Sequence, residues 1–494
     1  MQKPLTAYRQ GIFWLLVLML VFAPLFRAGN LPLPLLLLEL VSLCILVLML
    51  MRPQELLRLN AMQLVLLGGM LLLPLLMLVP VPAALWQQLP GREAFSEIYQ
   101  AIGMDGEAAW RAISLAPYKT EGALWALLPP LAVFAAVINQ PQQNILKLVY
   151  VALGMAVFQS VLSLMQYGGG SVGFLYIPNE FGIKAAAGTY LNRDHLAGFL
   201  EMLFPVALAL LAATVGQHRF DSVQGAWRKR LSFLATAKGH QASVYAVIGI
   251  LAVLCLVFTR SRAGIALTML GLFLLLLVFA RRLGGNNVYG TYGTVIAVIL
   301  VLTVEIGLAP ILDRFSMDPV EDARWSIYAT SMQGAVEYFP VGAGPGAYPE
   351  VYPYFQPVGI DAFVNHAHND YLEWVFDGGI LALFLVLAGL GLYALGWRRL
   401  WIKGRWRTFR YVQAGAGIGV FLLMLHSFVD FNLHKPANAI YFALLLAVFL
   451  KENKEEMALK ERASGKTRTR RLQVPAASVP VVQQPRNGVS LDDW

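Results

Sequence analysis

Charge is scarce in this sequence. Of its 494 residues only 14% are Asp, Glu, Lys or Arg, against about 25% in soluble globular domains. That scarcity excludes a soluble multidomain enzyme, a disordered chain and a nucleic-acid binder, each of which carries far more charge. Cysteine is scarcer still. Cys44 and Cys255 are the only two, and each lies inside an apolar run. Two isolated thiols build neither a disulfide framework nor a zinc cluster, so both are expected to pack as small hydrophobes. No internal repeat is evident.

What fills the sequence is apolar: 58% of the residues are hydrophobic and the mean hydropathy is +0.61. A membrane-spanning helix needs about 20 such residues in succession. Twelve runs qualify, at 11–28, 31–51, 61–82, 121–139, 145–166, 194–215, 243–260, 262–280, 288–308, 372–395, 411–430 and 436–450. The first has no small-residue cleavage site behind it and reads as a retained span. The expected fold is therefore an all-α, polytopic integral membrane protein of about 12 spans.

The net charge of +9 is an orientation signal more than a basic patch. With both termini cytoplasmic, 27 of the 38 Lys and Arg residues fall on the cytoplasmic side, as the positive-inside rule requires. Two external loops stand out. Residues 83–120 are mixed polar and aromatic and are expected to pack over the bundle. Residues 309–371 are too long for a connector. Within them Asp318-Pro319-Val320-Glu321 has the composition of a helix start. Trp325, Tyr328, Met332, Ala335, Val336 and Phe339 then share one helical face, expected to turn toward the bundle as an amphipathic helix. The tail 451–494, charged and then rich in Pro, Val and Gln, is expected to be a disordered basic cytoplasmic extension near membrane lipid.

Ionisable groups beside spanning helices are costly, and so they point to function. On the external face they gather in five places. Asn192-Arg193-Asp194-His195 starts the sixth span, with Glu201 further in. Arg260-Ser261-Arg262 forms a short turn. Arg324 lies on the loop helix. His366-Ala367-His368-Asn369-Asp370 precedes the tenth span. His426, Asp430, His434 and Lys435 lie between the last two. Single arginines at helix ends often only snorkel, and Asp430 and His434 can pair with each other or with Lys435. His366 and His368 make half a metal site, but no third ligand at metal spacing is evident, and no metal or cofactor is expected. Gly342-Ala343-Gly344-Pro345-Gly346 has no preceding strand and no following Lys-Ser/Thr, so it is a tight turn and not a phosphate loop. Several arginines with a histidine suit a substrate bearing phosphate or pyrophosphate: guanidinium groups pair bidentately with its oxygens and a neutral imidazole accepts a hydroxyl proton.

At NRDHLAGFLEM (192–202), TRSRAGIAL (259–267), ARWSIY…PVGAGPGAY (323–348) and HAHNDYLEWVFDGGILAL (366–383) the sequence resembles the O-antigen ligase and polymerase superfamily of bacterial envelope enzymes. HSFVDFNLHKPAN (426–438) resembles a subset of it. The likeness covers roughly 145–450; the first 140 residues match only as a hydrophobic pattern. It implies three parts: N-terminal spans over 1–140 with the loop 83–120, a catalytic membrane region over 141–450 containing the loop 309–371, and the tail 451–494. It also implies a metal-independent, inverting glycosyltransferase of the bacterial inner membrane, working on the periplasmic face. The donor would be a glycan on undecaprenyl pyrophosphate. The acceptor would be lipid A–core, another glycan or a protein. By the resemblance His368 is the general base, with His366 as the alternative. Arg193, Arg260, Arg262 and Arg324 contact the pyrophosphate, and His366, Asp370 and Asp430 join the substrate site. Polymerisation of a capsule or exopolysaccharide keeps the same chemistry with another acceptor. A lipid-linked glycan transporter is the non-enzyme alternative.

Overall fold

The computed structural model describes residues 3–57, 59–103, 110–169, 185–216, 232–283, 319–401 and 406–452. Helix dominates these segments. In chain order the longer helices are α1 (Lys3–Phe22), α2 (Pro32–Leu50), α3 (Ala61–Met77), α4 (Glu93–Ala101), α5 (Pro117–Asn139), α6 (Gln142–Tyr167) and α7 (Arg193–Val215). They continue as α8 (Ala237–Thr259), α9 (Arg262–Leu283), α10 (Pro319–Glu337), α11 (Asp370–Leu400), α12 (Thr408–His426) and α13 (Pro436–Leu450). Among the described residues eight helices are long and apolar enough to cross a membrane, and Ala7–Phe22, α3 and α13 are shorter apolar helices. Each coincides with an apolar run of the sequence. The run at 288–308 and nearly all of the tail 451–494 lie outside the described residues.

The centre of the bundle is α7. Its sequence is apolar around the whole circumference, the pattern of a helix enclosed on every side, and every residue from His195 to Ala213 is buried. Helices α8, α9 and α12 pack around it. The approach of α12 is close because Gly415 and Gly419, one turn apart, face α7. A Cβ at Gly415 would stand 2.7 Å from the Pro205 carbonyl oxygen, and one at Gly419 would overlap the Met202 carbonyl. Small residues at such a spacing let two backbones meet in a membrane. Gly419→Ala is expected to destabilise the fold by about 1–3 kcal/mol through overpacking, and Gly419→Leu to abolish a monodisperse folded species. Thermal unfolding in detergent checks both; an unchanged melting temperature for Gly419→Leu contradicts the packing.

Fold differences from expectation have local causes. The third run ends early: after Met77 the chain enters β1 (Pro80–Pro82), which pairs antiparallel with β2 (Trp110–Ala112). The loop between them is anchored by Trp86, whose indole donates to the Ala112 carbonyl at 2.8 Å, and by Arg92. The Arg92 guanidinium is fully buried and donates to the carbonyls of Pro90, Ile113 and Gly342 at 3.1, 2.8 and 3.1 Å. Burial lowers its pKa to about 10, which leaves it charged at neutral pH. Arg92→Ala removes the donor from the carbonyls of buried Gly342 and half-buried Pro90 and Ile113 and is expected to cost about 2–4 kcal/mol, read as a fall in melting temperature. A shift below one degree would contradict this clasp.

The loop helix α10 turns most of its expected inward stripe outward. Trp325, Met332 and Val336 are 72%, 54% and 69% exposed, and Phe339 beyond its end is exposed as well. Of the expected stripe Ala335 does face inward and Tyr328 is half-buried; the rest of the inward face is made by Ile327, Ser331 and, just past the helix, Tyr338. The reason is what they meet: Ser331 Oγ bonds the Tyr348 hydroxyl at 2.7 Å, and Tyr338 packs edge-on against Phe376 of α11. The loop's own tyrosines demand small and polar partners, so the bulky stripe points out. Cys255 is buried beside Ser163, as expected, but Cys44 is exposed on the surface of α2 and packs against no core.

The glycine-rich turn is structural. Ala343 and Gly344 donate to the carbonyls of Phe376 and Asp377 at 3.0 and 2.7 Å, and Ile380 donates to Pro340 at 2.9 Å. Gly346 donates to the Asp377 carboxylate at 2.7 Å. The clasp coincides with a kink of α11 at Gly379, whose φ of 53° and ψ of −137° suit only glycine.

Candidate functional site

A cavity of about 670 Å³ opens where the first turn of α7, the α8–α9 turn, the start of α10, the segment before α11 and residues 426–435 meet. Its size lies within the usual span of small-molecule sites. Six of the eight residues assigned to the site from sequence line it: Arg193, Arg260, Arg262, Arg324, His368 and Asp430. His366 and Asp370 are absent from the lining and sit behind it.

Local chemistry presents each group. Asn192 caps α7 by accepting the Asp194 N–H at 2.8 Å, which sets Arg193, Asp194 and His195 on the first turn. The α8–α9 turn is knotted by its hydroxyls: Thr259 Oγ1 donates to Leu256 at 2.6 Å, and Ser261 Oγ accepts the Gly264 N–H at 3.1 Å. This throws Arg260 and Arg262 to either side of one residue. Asn369 caps α11 by accepting from Tyr371 and Leu372. The Tyr328 hydroxyl, donating to the His368 carbonyl at 2.9 Å, holds the residue before that cap.

The backbone at the site is unusual. Among the described residues four other than glycine have left-handed φ: Arg27 (49°), Ala28 (58°), Arg260 (55°) and His368 (53°). All four line the cavity. Such a conformation costs about 1–2 kcal/mol per residue and persists only where the surroundings impose it; clusters of it mark functional sites.

His368 and Asp430 form a dyad. His368 Nδ1 lies 3.3 Å from Asp430 Oδ1, a contact that favours the tautomer donating from Nδ1, in which the lone pair is at Nε2. Asp430 Oδ2 lies 3.8 Å from His195 Nε2. Burial acts to raise the Asp430 carboxyl, but His195, His368 and His426 around it hold it well below the ordinary carboxylate range. An ionised, oriented carboxylate behind an imidazole is the arrangement that fixes the tautomer of a general base. Asp430 therefore does not pair with His434, one of the partnerships that adjacency in sequence allowed.

Cations surround this dyad. Beyond the four arginines, Arg27 and Lys435 also line the cavity. Arg193 Nη1 and Arg324 Nε are buried and hydrogen-bond no protein atom, the condition of donors that serve a ligand. Arg324 Nη1 reaches only to the Val429 carbonyl at 3.4 Å. Deeper in, His426 of the lining meets Glu201 of α7 at 2.9 Å, a buried cross-link between α12 and α7.

Phe431 divides the site. Its ring meets His195 and His368 edge-on at 4.7 and 4.8 Å and stacks on His366 at 4.2 Å. Behind it lies a second cluster. His366 Nδ1 is 2.9 Å from Glu373 Oε1. His434 places Nδ1 2.7 Å from Asp370 Oδ1 and Nε2 3.1 Å from Glu373 Oε1. Burial opposes charge on His434, but Glu373 and Asp370 raise its pKa to about 9. Burial keeps His366 below the usual histidine value despite Glu373. The His-x-His pair is thus split between two clusters, and the partners it lacked locally come from Glu373 and His434.

Arg27, Phe431 and Glu373 belong to the site although no signal in the sequence assigned them to it. Glu373 and Phe431 stood inside quoted motifs, with nothing to say which of their neighbours they would meet. Arg27 lies in the N-terminal part, where only hydrophobicity was legible.

Residues 247–387 match the family model described as O-antigen ligase. This stretch contains the α8–α9 turn, Arg324 and His368; Arg193 and Asp430 lie outside it. No curated protein matches the chain.

Proposed function

Since residues 247–387 mark the chain as one of the O-antigen ligase superfamily, we propose that the cavity is the active site of a membrane glycosyltransferase. It transfers a glycan from undecaprenyl pyrophosphate to an acceptor hydroxyl on the outer, periplasmic side of a bacterial inner membrane, with both termini in the cytoplasm. The observation that carries this reading is the oriented His368–Asp430 dyad inside a cavity lined by Arg193, Arg260, Arg262 and Arg324.

His368 Nε2 takes the proton of the acceptor hydroxyl as that oxygen bonds to the anomeric carbon. The bond from that carbon to the pyrophosphate oxygen breaks, and its electron pair leaves with the lipid pyrophosphate. The arginines neutralise the charge developing there; in a water-poor cavity such donors act most strongly on the transition state. Attack opposite the leaving group inverts the anomeric configuration. Asp430 holds the imidazole tautomer and stabilises the imidazolium that forms. His366 and Asp370, behind Phe431, position this machinery and touch no substrate.

Deletion of the gene with profiling of envelope glycans tests the reading in cells. Loss of glycan on lipid A–core marks a ligase, loss of repeat-number ladders marks a polymerase, and loss of glycosylated protein marks a protein transferase. Unchanged envelope glycans in the deletion strain would overturn the proposal.

A further inference from the structure

We propose that His366, Glu373 and His434 bind a single divalent transition-metal cation, with Zn²⁺ the best fit. Their ligand atoms all lie within 4.8 Å of one another, and Glu373 Oε1 stands 2.9 Å from His366 Nδ1 and 3.1 Å from His434 Nε2. A tetrahedral zinc site with bonds of about 2.0–2.1 Å has ligand-to-ligand edges of about 3.3 Å. The two nitrogens therefore need to move from Glu373 Oε1 by only a few tenths of an ångström, and from within 4.8 Å of each other to that edge length, to admit the ion.

The surroundings are those of a built site. His434 Nδ1–H donates to Asp370 Oδ1 at 2.7 Å, which turns Nε2 toward Glu373 and makes the carboxylate–histidine pairing that supports metal ligands. Asp370 Oδ2 is fixed in turn by the Leu433 N–H at 3.1 Å. Glu373 Oε2 accepts the Ala367 N–H at 2.8 Å, leaving Oε1 for the ion. Phe431, stacked at 4.2 Å, holds the plane of the His366 ring. Glu373 leaves only 2% of its side chain exposed, whereas the two histidine side chains keep 18% and 23% exposure, the side from which an ion and a fourth ligand would come.

The ligand chemistry selects the metal. Two imidazoles and one carboxylate suit zinc and its neighbours; calcium and magnesium require oxygen throughout. Both nitrogens of His434 face carboxylates, Nδ1 toward Asp370 and Nε2 toward Glu373, and the cation takes the position between Nε2 and Glu373 Oε1. Phe431 stands between this site and the reacting cavity, so the ion has no part in bond making. It ties the segment that ends in His368 to the segment that begins at Asp430. That last consequence rests on the proposed function; the binding itself does not.

The test uses full-length protein in detergent, stripped with a chelator and titrated with Zn²⁺ alone. One zinc per chain is expected by elemental analysis after desalting, with a rise in melting temperature that Mg²⁺ and Ca²⁺ do not reproduce. Glu373→Gln and His434→Ala are expected to retain no zinc, and Asp370→Asn to weaken binding about 10–100-fold. His368→Ala is expected to keep full occupancy. Wild-type protein that retains no zinc overturns the proposal irrespective of how the variants fold, as does equal retention by wild type and Glu373→Gln. Glycan transfer by wild-type protein that takes up no zinc on titration would leave the enzyme reading standing while the metal site fell; stoichiometric zinc without transfer would do the reverse.

Discussion

His368→Ala is expected to lower the rate of glycan transfer by about 10²–10⁴-fold, the range that a positioned general base contributes, or about 3–5 kcal/mol of barrier. Donor affinity should change little, because the arginines that hold the pyrophosphate are untouched. The fold should survive: alanine replaces a side chain that donates one 3.3 Å hydrogen bond from a partly exposed ring. Asp430→Asn should approach the same loss of rate, since an amide in place of the carboxylate no longer fixes the Nδ1–H tautomer. Single-turnover kinetics with purified protein separates these effects. A fall in binding with an unchanged chemical step would move His368 from catalysis to substrate recognition.

Arg262→Lys and Arg193→Lys are each expected to reduce turnover by about 10²–10³-fold, the cost of losing one preorganised charge donor at a developing oxyanion. Lysine keeps the positive charge but loses the planar fork that grips two phosphate oxygens at once. The loss should therefore exceed that expected from charge alone. Arg260 should matter less, because its guanidinium already lies 6.0 Å over the Tyr167 ring. For Arg262 and Arg193 the loss belongs mainly in the rate of the chemical step. Equal activity of Arg262→Lys and wild type would mean that bidentate contact plays no part.

Spanning helices were legible because apolar length is a property of composition: every apolar run that falls among the described residues is helical over most of its length. The site was legible in part for the same physical reason, since charges beside a membrane helix are too costly to be incidental. Arg193, Arg260, Arg262, Arg324, His368 and Asp430 duly share one cavity. What was not legible is which polar group meets which. In an extended strand His366 and His368 would point the same way. The left-handed φ of 53° at His368 breaks that alternation and sends the two rings to opposite clusters. Glu373 reads as a charge just inside a helix until the chain brings His434 to it from 61 residues away. For α10, helical period defined an apolar stripe, but only the tyrosines of the loop decided that it faces outward.

The central claim is that His368 deprotonates the acceptor in a cationic cavity that binds a lipid pyrophosphate. The most direct measurement is transfer in proteoliposomes from synthetic undecaprenyl-pyrophosphate glycan to acceptor, following glycan product and released lipid pyrophosphate together for wild type and His368→Ala. Equimolar appearance of both with wild type, and donor binding without either with His368→Ala, is the predicted result. Transfer by His368→Ala at the wild-type rate, or movement of the lipid-linked glycan across the bilayer with no pyrophosphate released, would contradict it.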